Sequence, residues 1–474
     1  MKSSIVKNYI YNIGYQMLVL FLPLITTPYI SRILGAEGIG AFGYTESISQ
    51  YFILFGCIGL NLYGQREIAY CQGDKEERSK VFIELLIVRV ITVSIVLIIF
   101  ALTVCQSIKY GYLFKIQTIE IFAAMVDISW YFQGLEEFKK IVIRNTIVKI
   151  VGVILIFTLI HAKADLFKYT LIYTITLFAG NISMWLYAPK YVNKVELYKL
   201  NCIRHIKPAL LLFIPQIATN MYNLLDKSMI GFLTKNDAEV AYYEQAQKIM
   251  KMALSIPTSL GTVMLPRMAN MFGEGKNNEI MDYLKKSMRV IFLLTCPICV
   301  GVMVIAKGFV PWFFGIGYDK VVSNLLVIAP IIIIVGISNV IGVQYLLPVG
   351  RQKEYTTSVL IGTVVNFCLN IILIPRFFSI GAAFASIIAE FSVTVFQIIV
   401  VRENFNMYNN MKNFIKYLFA SLIMGICCMW IYLCDFTGII GTAFQICTGI
   451  LVYLFILFVL KDDMIVSFMR RRKE

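Results

Sequence analysis

The chain has 474 residues, of which 59% are hydrophobic and only 15% charged, with a formal net charge of +15. A water-soluble chain of this size carries about 25% charged residues, so a soluble globular enzyme is excluded. The positive surplus lies in short loops between apolar blocks of about twenty residues, the length a helix needs to cross a ~30 Å hydrocarbon core, and this sets nucleic-acid binding aside.

In chain order the apolar blocks predict spans at 9–30, 38–62, 81–104, 112–132, 145–161, 166–188 and 208–231, then at 239–264, 288–308, 321–347, 355–375, 380–401, 414–434 and 438–460. Alternating ten-residue strands are absent, so the expected fold is an all-α bundle of about fourteen transmembrane helices. The apolar stretch after Lys2 and Lys7 runs past signal-peptide length and reads as a retained first span. Loops on one side carry thirty Lys and Arg, and those on the other carry ten. The positive-inside rule then puts both termini of this multi-pass chain in the cytoplasm. The tail Arg470-Arg471-Arg472-Lys473 suits a surface of anionic membrane lipids.

The two halves echo each other at an offset of 200 residues. Gly40-Ala41-Phe42-Gly43-Tyr44 answers to Val240-Ala241-Tyr242-Tyr243-Glu244, and Val88-Arg89-Val90 to Met288-Arg289-Val290. Six spans per repeat is an even number, so the halves enter from the same side. The expectation is two six-helix lobes related by a pseudo-twofold axis along the membrane normal, with a pathway between them. The lobes fall at 1–200 and 201–405. Residues 406–474 add two helices and the basic tail.

Ionisable residues inside these spans cost roughly 2.5–3.5 kcal/mol each at the bilayer centre. Arg32, Glu46, Arg89, Glu120, Asp127, Asp226, Lys227, Glu244, Lys248, Lys251, Arg289 and Glu390 lie in or near spans, so they are expected to face a cavity or one another. Helical spacing agrees. Gln216, Asn220, Asn223 and Lys227 share one helix face, as do Glu244, Gln247, Lys248 and Lys251, and Ser386, Glu390, Thr394 and Gln397. The competing reading for Arg32, Arg89 and Arg289 is snorkelling to headgroups from span ends, and for Asp226 with Lys227 a loop ion pair.

Several motif matches dissolve on inspection. Gly38-x-Gly40-x-x-Gly43 lacks the strand of a dinucleotide site and reads as close helix packing. Cys296-Pro297-Ile298-Cys299 reads as small apolar residues beside a proline. No P-loop and no metal-ligand cluster occurs, so no cofactor is expected beyond a coupling H+ or Na+.

Two stretches resemble the polysaccharide transporter family, the O-antigen and capsule repeat-unit flippases. One is Pro23-x-x-Thr26-Thr27-Pro28-Tyr29-Ile30-Ser31-Arg32-Ile33-Leu34-Gly35 with Gly38-x-Gly40 and, later, Tyr63-Gly64-Gln65-Arg66-Glu67-Ile68-Ala69. The other is Asp127-x-x-Trp130-Tyr131-Phe132-Gln133-Gly134-Leu135-Glu136-Glu137-Phe138. Asn370-Ile371-Ile372-Leu373-Ile374-Pro375 with Gly381-Ala382-Ala383 is similar to a third family segment. The resemblance implies a superfamily shared with multidrug exporters and the lipid II flippase. It implies a cationic central cavity and a cargo built on undecaprenyl pyrophosphate, moved to the outer leaflet without enzymatic chemistry. Arg32 and Asp127 carry over as motif positions.

On this basis Arg89, Arg289, Lys227 and Lys248 are expected to attract the pyrophosphate, and Gln216, Asn220 and Asn223 to bond sugar hydroxyls. Asp127, Glu46, Asp226 and Glu390 are the candidates for ion coupling. Polysaccharide polymerases and glycosyltransferases are the expected protein partners. The rival readings are an ion-coupled multidrug exporter, which predicts a net negative cavity, and a membrane polymerase or ligase, which needs a large outer loop this chain lacks.

Overall fold

The structure is a computed structural model that describes residues 2–196, 198, 200–403, 408–434 and 438–464. Within its helices the side chains of 2–20, 214, 215, 218–223, 277 and 408–411 are outside the description. The described residues are helical, without strands. In order the main helices are α1 (Lys2–Cys57), α2 (Leu60–Tyr70), α3 (Lys75–Thr103), α4 (Gly111–Met125), α5 (Ser129–Gly134), α6 (Phe138–Leu159), α7 (Leu166–Ser183) and α8 (Ile206–Thr234). There follow α9 (Asp237–Gly273), α10 (Asn277–Phe314), α11 (Asp319–Ile328), α12 (Ile331–Ser338), a π-helical turn (Asn339–Leu346), α13 (Gln352–Val401), α14 (Tyr408–Leu433) and α15 (Gly438–Val459).

Two of these helices are each a pair of spans. α1 breaks at Gly35, whose φ of 69° a side chain would strain, and α13 breaks at Phe378. With those breaks counted, the helices reproduce the fourteen expected spans. By length and composition alone, eight described helices qualify to cross a membrane, or nine when the bent pair α11 with α12 is one span. The outward faces suit lipid: Ile91, Ile95, Ile98, Ile99 and Leu102 line one exposed stripe of α3.

Two boundaries differ from expectation. The span at 112–132 is not one helix. It ends at Met125 and resumes as the short α5, and between the two the Asp127 side chain accepts from the Ser129 backbone N–H. The span expected at 239–264 continues to Gly273, through Pro257 and Pro266.

The chain forms two compact units. The first is 1–231 with 236–241, and the second is 232–235 with 242–474. Most of α8, up to Gly231, falls in the first unit. The core of the first unit gathers Leu60, Tyr63, Phe82, Trp130, Tyr131 and Phe132. The core of the second gathers Met288, Phe292, Tyr417, Met424 and Tyr453.

Candidate functional site

The polar residues of the first unit form two groups. The first centres on Arg89, which is 1% exposed. Its Nε donates to the Ala124 carbonyl at 2.7 Å and its Nη1 to Asn61 Oδ1 at 2.7 Å. Its Nη2 lies 3.5 Å from Cys57 Sγ and 3.9 Å from Asp127 Oδ2. The guanidinium thus spans α1, α2 and the α4–α5 break, and its donors are taken by protein. Asp127 Oδ1 accepts from the Ser129 backbone N–H at 2.9 Å and from its hydroxyl. Asp127 therefore binds the first residue of α5 and is the counter-charge of Arg89 at once.

This group explains the two family-like stretches as one contact. A Cβ on Gly64 would sit 2.5 Å from Trp130 Cε3, and one on Gly134 would sit 2.7 Å from the Gln65 carbonyl. The Tyr63–Ala69 and Asp127–Phe138 segments pack backbone to ring because glycine stands at both crossings. Gly40 likewise meets the Asp237 carbonyl, where a Cβ would fall at 1.6 Å, which accounts for the small-residue spacing by packing.

The second group lies along the second half of α1. Lys227 Nζ is 3.6 Å from Glu46 Oε2. One turn on, Gln50 donates to Glu120 Oε1 at 2.6 Å. On the adjoining face the Gln117 amide is 3.0 Å from the hydroxyls of both Thr45 and Ser49. Asp226 is buried beside Lys227, and Gln216 is half-buried. The side chains of Asn220 and Asn223 are outside the described residues. Arg32 is exposed.

In the second unit Lys248 pairs with Glu244 one turn earlier, at 2.9 Å. Tyr243 bonds Ser386 at 2.8 Å and receives Gln247 at 2.6 Å, so the α9 and α13 faces meet. Glu390, one turn beyond Ser386, is half-buried. Arg289 is drawn elsewhere. It bonds Tyr417 at 3.0 Å, Asp462 at 3.0 Å and Asp463 at 3.3 Å. Lys416 reaches the same Asp462 oxygen at 2.8 Å. Burial pushes the Asp462 carboxyl up, but the bonds from Lys416 and Arg289 outweigh it and hold the group below the usual carboxylate range.

The structure thus brings together Glu46 with Lys227, and Arg89 with Asp127. It separates Arg289 from the spans' polar faces and ties it to the chain end. Sequence reasoning missed Asn61, Gln50 and Asp462 as partners, and it named Glu120 without a role. Gln50 sits one helical turn after Glu46, and that spacing was a readable signal. Among the described residues, no group of His, Cys, Asp and Glu is arranged to hold a metal ion.

A family model described as polysaccharide biosynthesis protein matches residues 5–272, more than half of the chain. The chain belongs to the polysaccharide biosynthesis protein family. A second family model, MatE, matches residues 212–374 of this family member. A putative O-antigen transporter of Escherichia coli K12 is 25% identical over 408 residues, covering 85% of this chain and 98% of that protein. Lipid II flippase MurJ of Bacillus subtilis is 23% identical over 185 residues, covering 38% of this chain and 34% of that protein. Among solved structures, lipid II flippase MurJ in an inward closed conformation aligns with a TM-score of 0.72 at 19% identity, over 97% of this chain and 100% of that chain. An inward-facing multidrug resistance MATE family transporter aligns with a TM-score of 0.67 at 14% identity, over 83% and 97%. The chain therefore has the all-helical fold of these transporters and is a multi-pass membrane protein.

Proposed function

We propose that this protein is a flippase, not an enzyme, that carries undecaprenyl-pyrophosphate-linked oligosaccharide units from the cytoplasmic to the outer leaflet of a bacterial inner membrane. The observation that carries this reading is the family match joined to an O-antigen transporter aligned over 98% of its length. The chemistry is compatible with it. A polar, anionic head group needs cationic and amide side chains within apolar helices, and this chain invests in them against their insertion cost.

In this reading the head-group candidates of the first unit are Arg32 and Lys227, with Gln216, Asn220 and Asn223, and that of the second unit is Lys248. Arg89 and Arg289 act at one remove. Both guanidinium groups are engaged by protein, so their work is to hold span ends in register. Glu46, Asp127, Asp226 and Glu390 are the acids available for coupling to H+ or Na+ during alternating access. The lobes at 1–200 and 201–405 with 406–474 appended, the cytoplasmic termini, and working contacts with glycosyltransferases and a polymerase belong to the same reading.

The MatE match over 212–374 favours multidrug export as a second reading. One experiment separates the two. Purified protein in liposomes is given a fluorescent undecaprenyl-pyrophosphate oligosaccharide, and reduction of the label from outside reports leaflet exchange. Protein-dependent exchange of this lipid is expected. Exchange no faster than in empty liposomes, together with uptake of a lipophilic cation, would overturn the flippase reading.

A further inference from the structure

The side chain of Glu120 is fully buried on α4, in a segment that faces α1. One carboxyl oxygen accepts from Gln50, and the other, Oε2, has no hydrogen-bond partner. Among the described residues no cation pairs with it. The Glu46 carboxylate, one turn from Gln50 on α1, acts on it through space. Around α4, α1 brings Glu46, α3 brings Arg89, engaged one turn further on at the Ala124 carbonyl, and α7 brings Tyr169 and Tyr173, both edge-on to Phe42. Lys227 answers Glu46.

An ionised carboxylate with one donor, no cation and a like charge nearby is a costly buried group, whereas a neutral carboxylic acid fits the same space. Glu46 differs: it is partly exposed and has Lys227 as its counter-ion. Two carboxyl groups in unequal settings divide the roles, one holding a proton and one holding a charge.

We propose that Glu120 is the proton-carrying group of this transporter, with Gln50 fixing its carboxyl and the Glu46–Lys227 pair supplying the charge that its ionisation works against. In the step, the Glu120 O–H bond breaks, the proton passes to water, and the carboxylate left behind attracts Lys227 away from Glu46. The coupling role rests on the transport reading above, but the proton site does not.

The test therefore has two arms. In the first, infrared difference spectra of the liposome-embedded protein are recorded between neutral and alkaline pH. A carboxylic-acid carbonyl band should be lost on alkalinisation in the wild type and in Glu46→Gln, and be absent in Glu120→Gln, which keeps the side chain's size and an amide for Gln50. A band unchanged in Glu120→Gln, or none in the wild type, overturns the site. In the second arm, lipid exchange is followed with an imposed pH gradient. The wild type should respond to the gradient and Glu120→Gln should lose that response while still exchanging lipid; a wild-type response in the variant overturns the coupling. If no lipid exchanges at any gradient while the band is present and depends on Glu120, the proton site stands and the flippase reading falls.

Discussion

The Arg289 guanidinium stands 3.0 Å from the Asp462 carboxylate, although 173 residues separate them. Asp462 is fully buried and also receives Lys416 and Tyr417 on the same oxygen, so α10, α14 and the segment after α15 converge on one acid. Asp462→Asn should leave two cations without their shared counter-charge. The expected loss is on the order of 3 kcal/mol of stability, read as a lower midpoint in thermal unfolding of the detergent-solubilised protein. Asp463→Asn is the control, since Asp463 is almost fully exposed and its removal should change the midpoint little.

The same carboxyl gives a pH dependence of definite sign. Its folded value lies below the ordinary one, through Lys416 and Arg289 acting against burial. A depressed carboxyl contributes stability that is fully present above its unfolded value and lost as pH falls through the folded one. The difference in midpoint between wild type and Asp462→Asn should therefore be constant near neutrality and shrink only below about pH 4. A difference that shrinks between pH 8 and pH 6 would assign the effect to another group.

Arg89 makes a similar case inside the first unit. Arg89→Ala would orphan the Ala124 carbonyl, Asn61 and the Asp127 carboxylate together, at a cost on the order of 3 kcal/mol. Arg89→Lys should recover only part of this, because a single ammonium cannot serve three acceptors in a fork. Yield and thermal midpoint of the two variants check it. Equal stability of Arg89→Lys and wild type would show that one of the three contacts carries the whole effect.

Much of this was readable in advance. The approximate number of spans follows from apolar block length, and the charged positions within spans stand out by their cost in lipid. What sequence could not supply is partnership. Arg89 and Arg289 occupy matching positions 200 residues apart, yet one is closed off by Asn61 and Ala124 and the other is drawn to an acid beyond the last span. Periodicity assigns a face to a residue, but the length of an arginine lets it leave that face. The break at Asp127 is hidden for a related reason: hydropathy continues through Val126 and Ile128, and the local bond from the Ser129 N–H to the Asp127 carboxylate leaves no trace in it.

The junction of the two family-like stretches predicts a steric effect. Gly64→Ala puts a methyl group 2.5 Å from the Trp130 ring, a residue that is nearly fully buried. The ring is also held by its Nε1–H bond to the Asp127 carbonyl, so it cannot simply turn away. Overpacking of this kind costs roughly 1–3 kcal/mol. Thermal unfolding should fall accordingly, and the double variant Gly64→Ala, Trp130→Phe should recover part of the loss. A midpoint unchanged in Gly64→Ala would mean that α2 and α5 are farther apart in the working protein.

The Glu46–Lys227 pair can be separated from mere stability by exchanging its charges. Each partner is less than one-fifth exposed, at 3.6 Å. Lys227→Glu alone sets two carboxylates against each other and adds to the acid already at Glu120, so lipid exchange should fall sharply. Glu46→Lys alone removes the acid that faces Glu120 and should also lower exchange. If the pair only braces α1 against α8, the double variant Glu46→Lys, Lys227→Glu should restore both thermal midpoint and exchange rate. If Lys227 meets the anionic head group from its own position on α8, the double variant should regain the midpoint but not the exchange. The second outcome is expected, because exchanging the two charges keeps the ion pair that the fold holds, whereas the proposed pyrophosphate cargo requires a cation at the α8 position itself. Recovery of full exchange in the double variant would remove Lys227 from the head-group site.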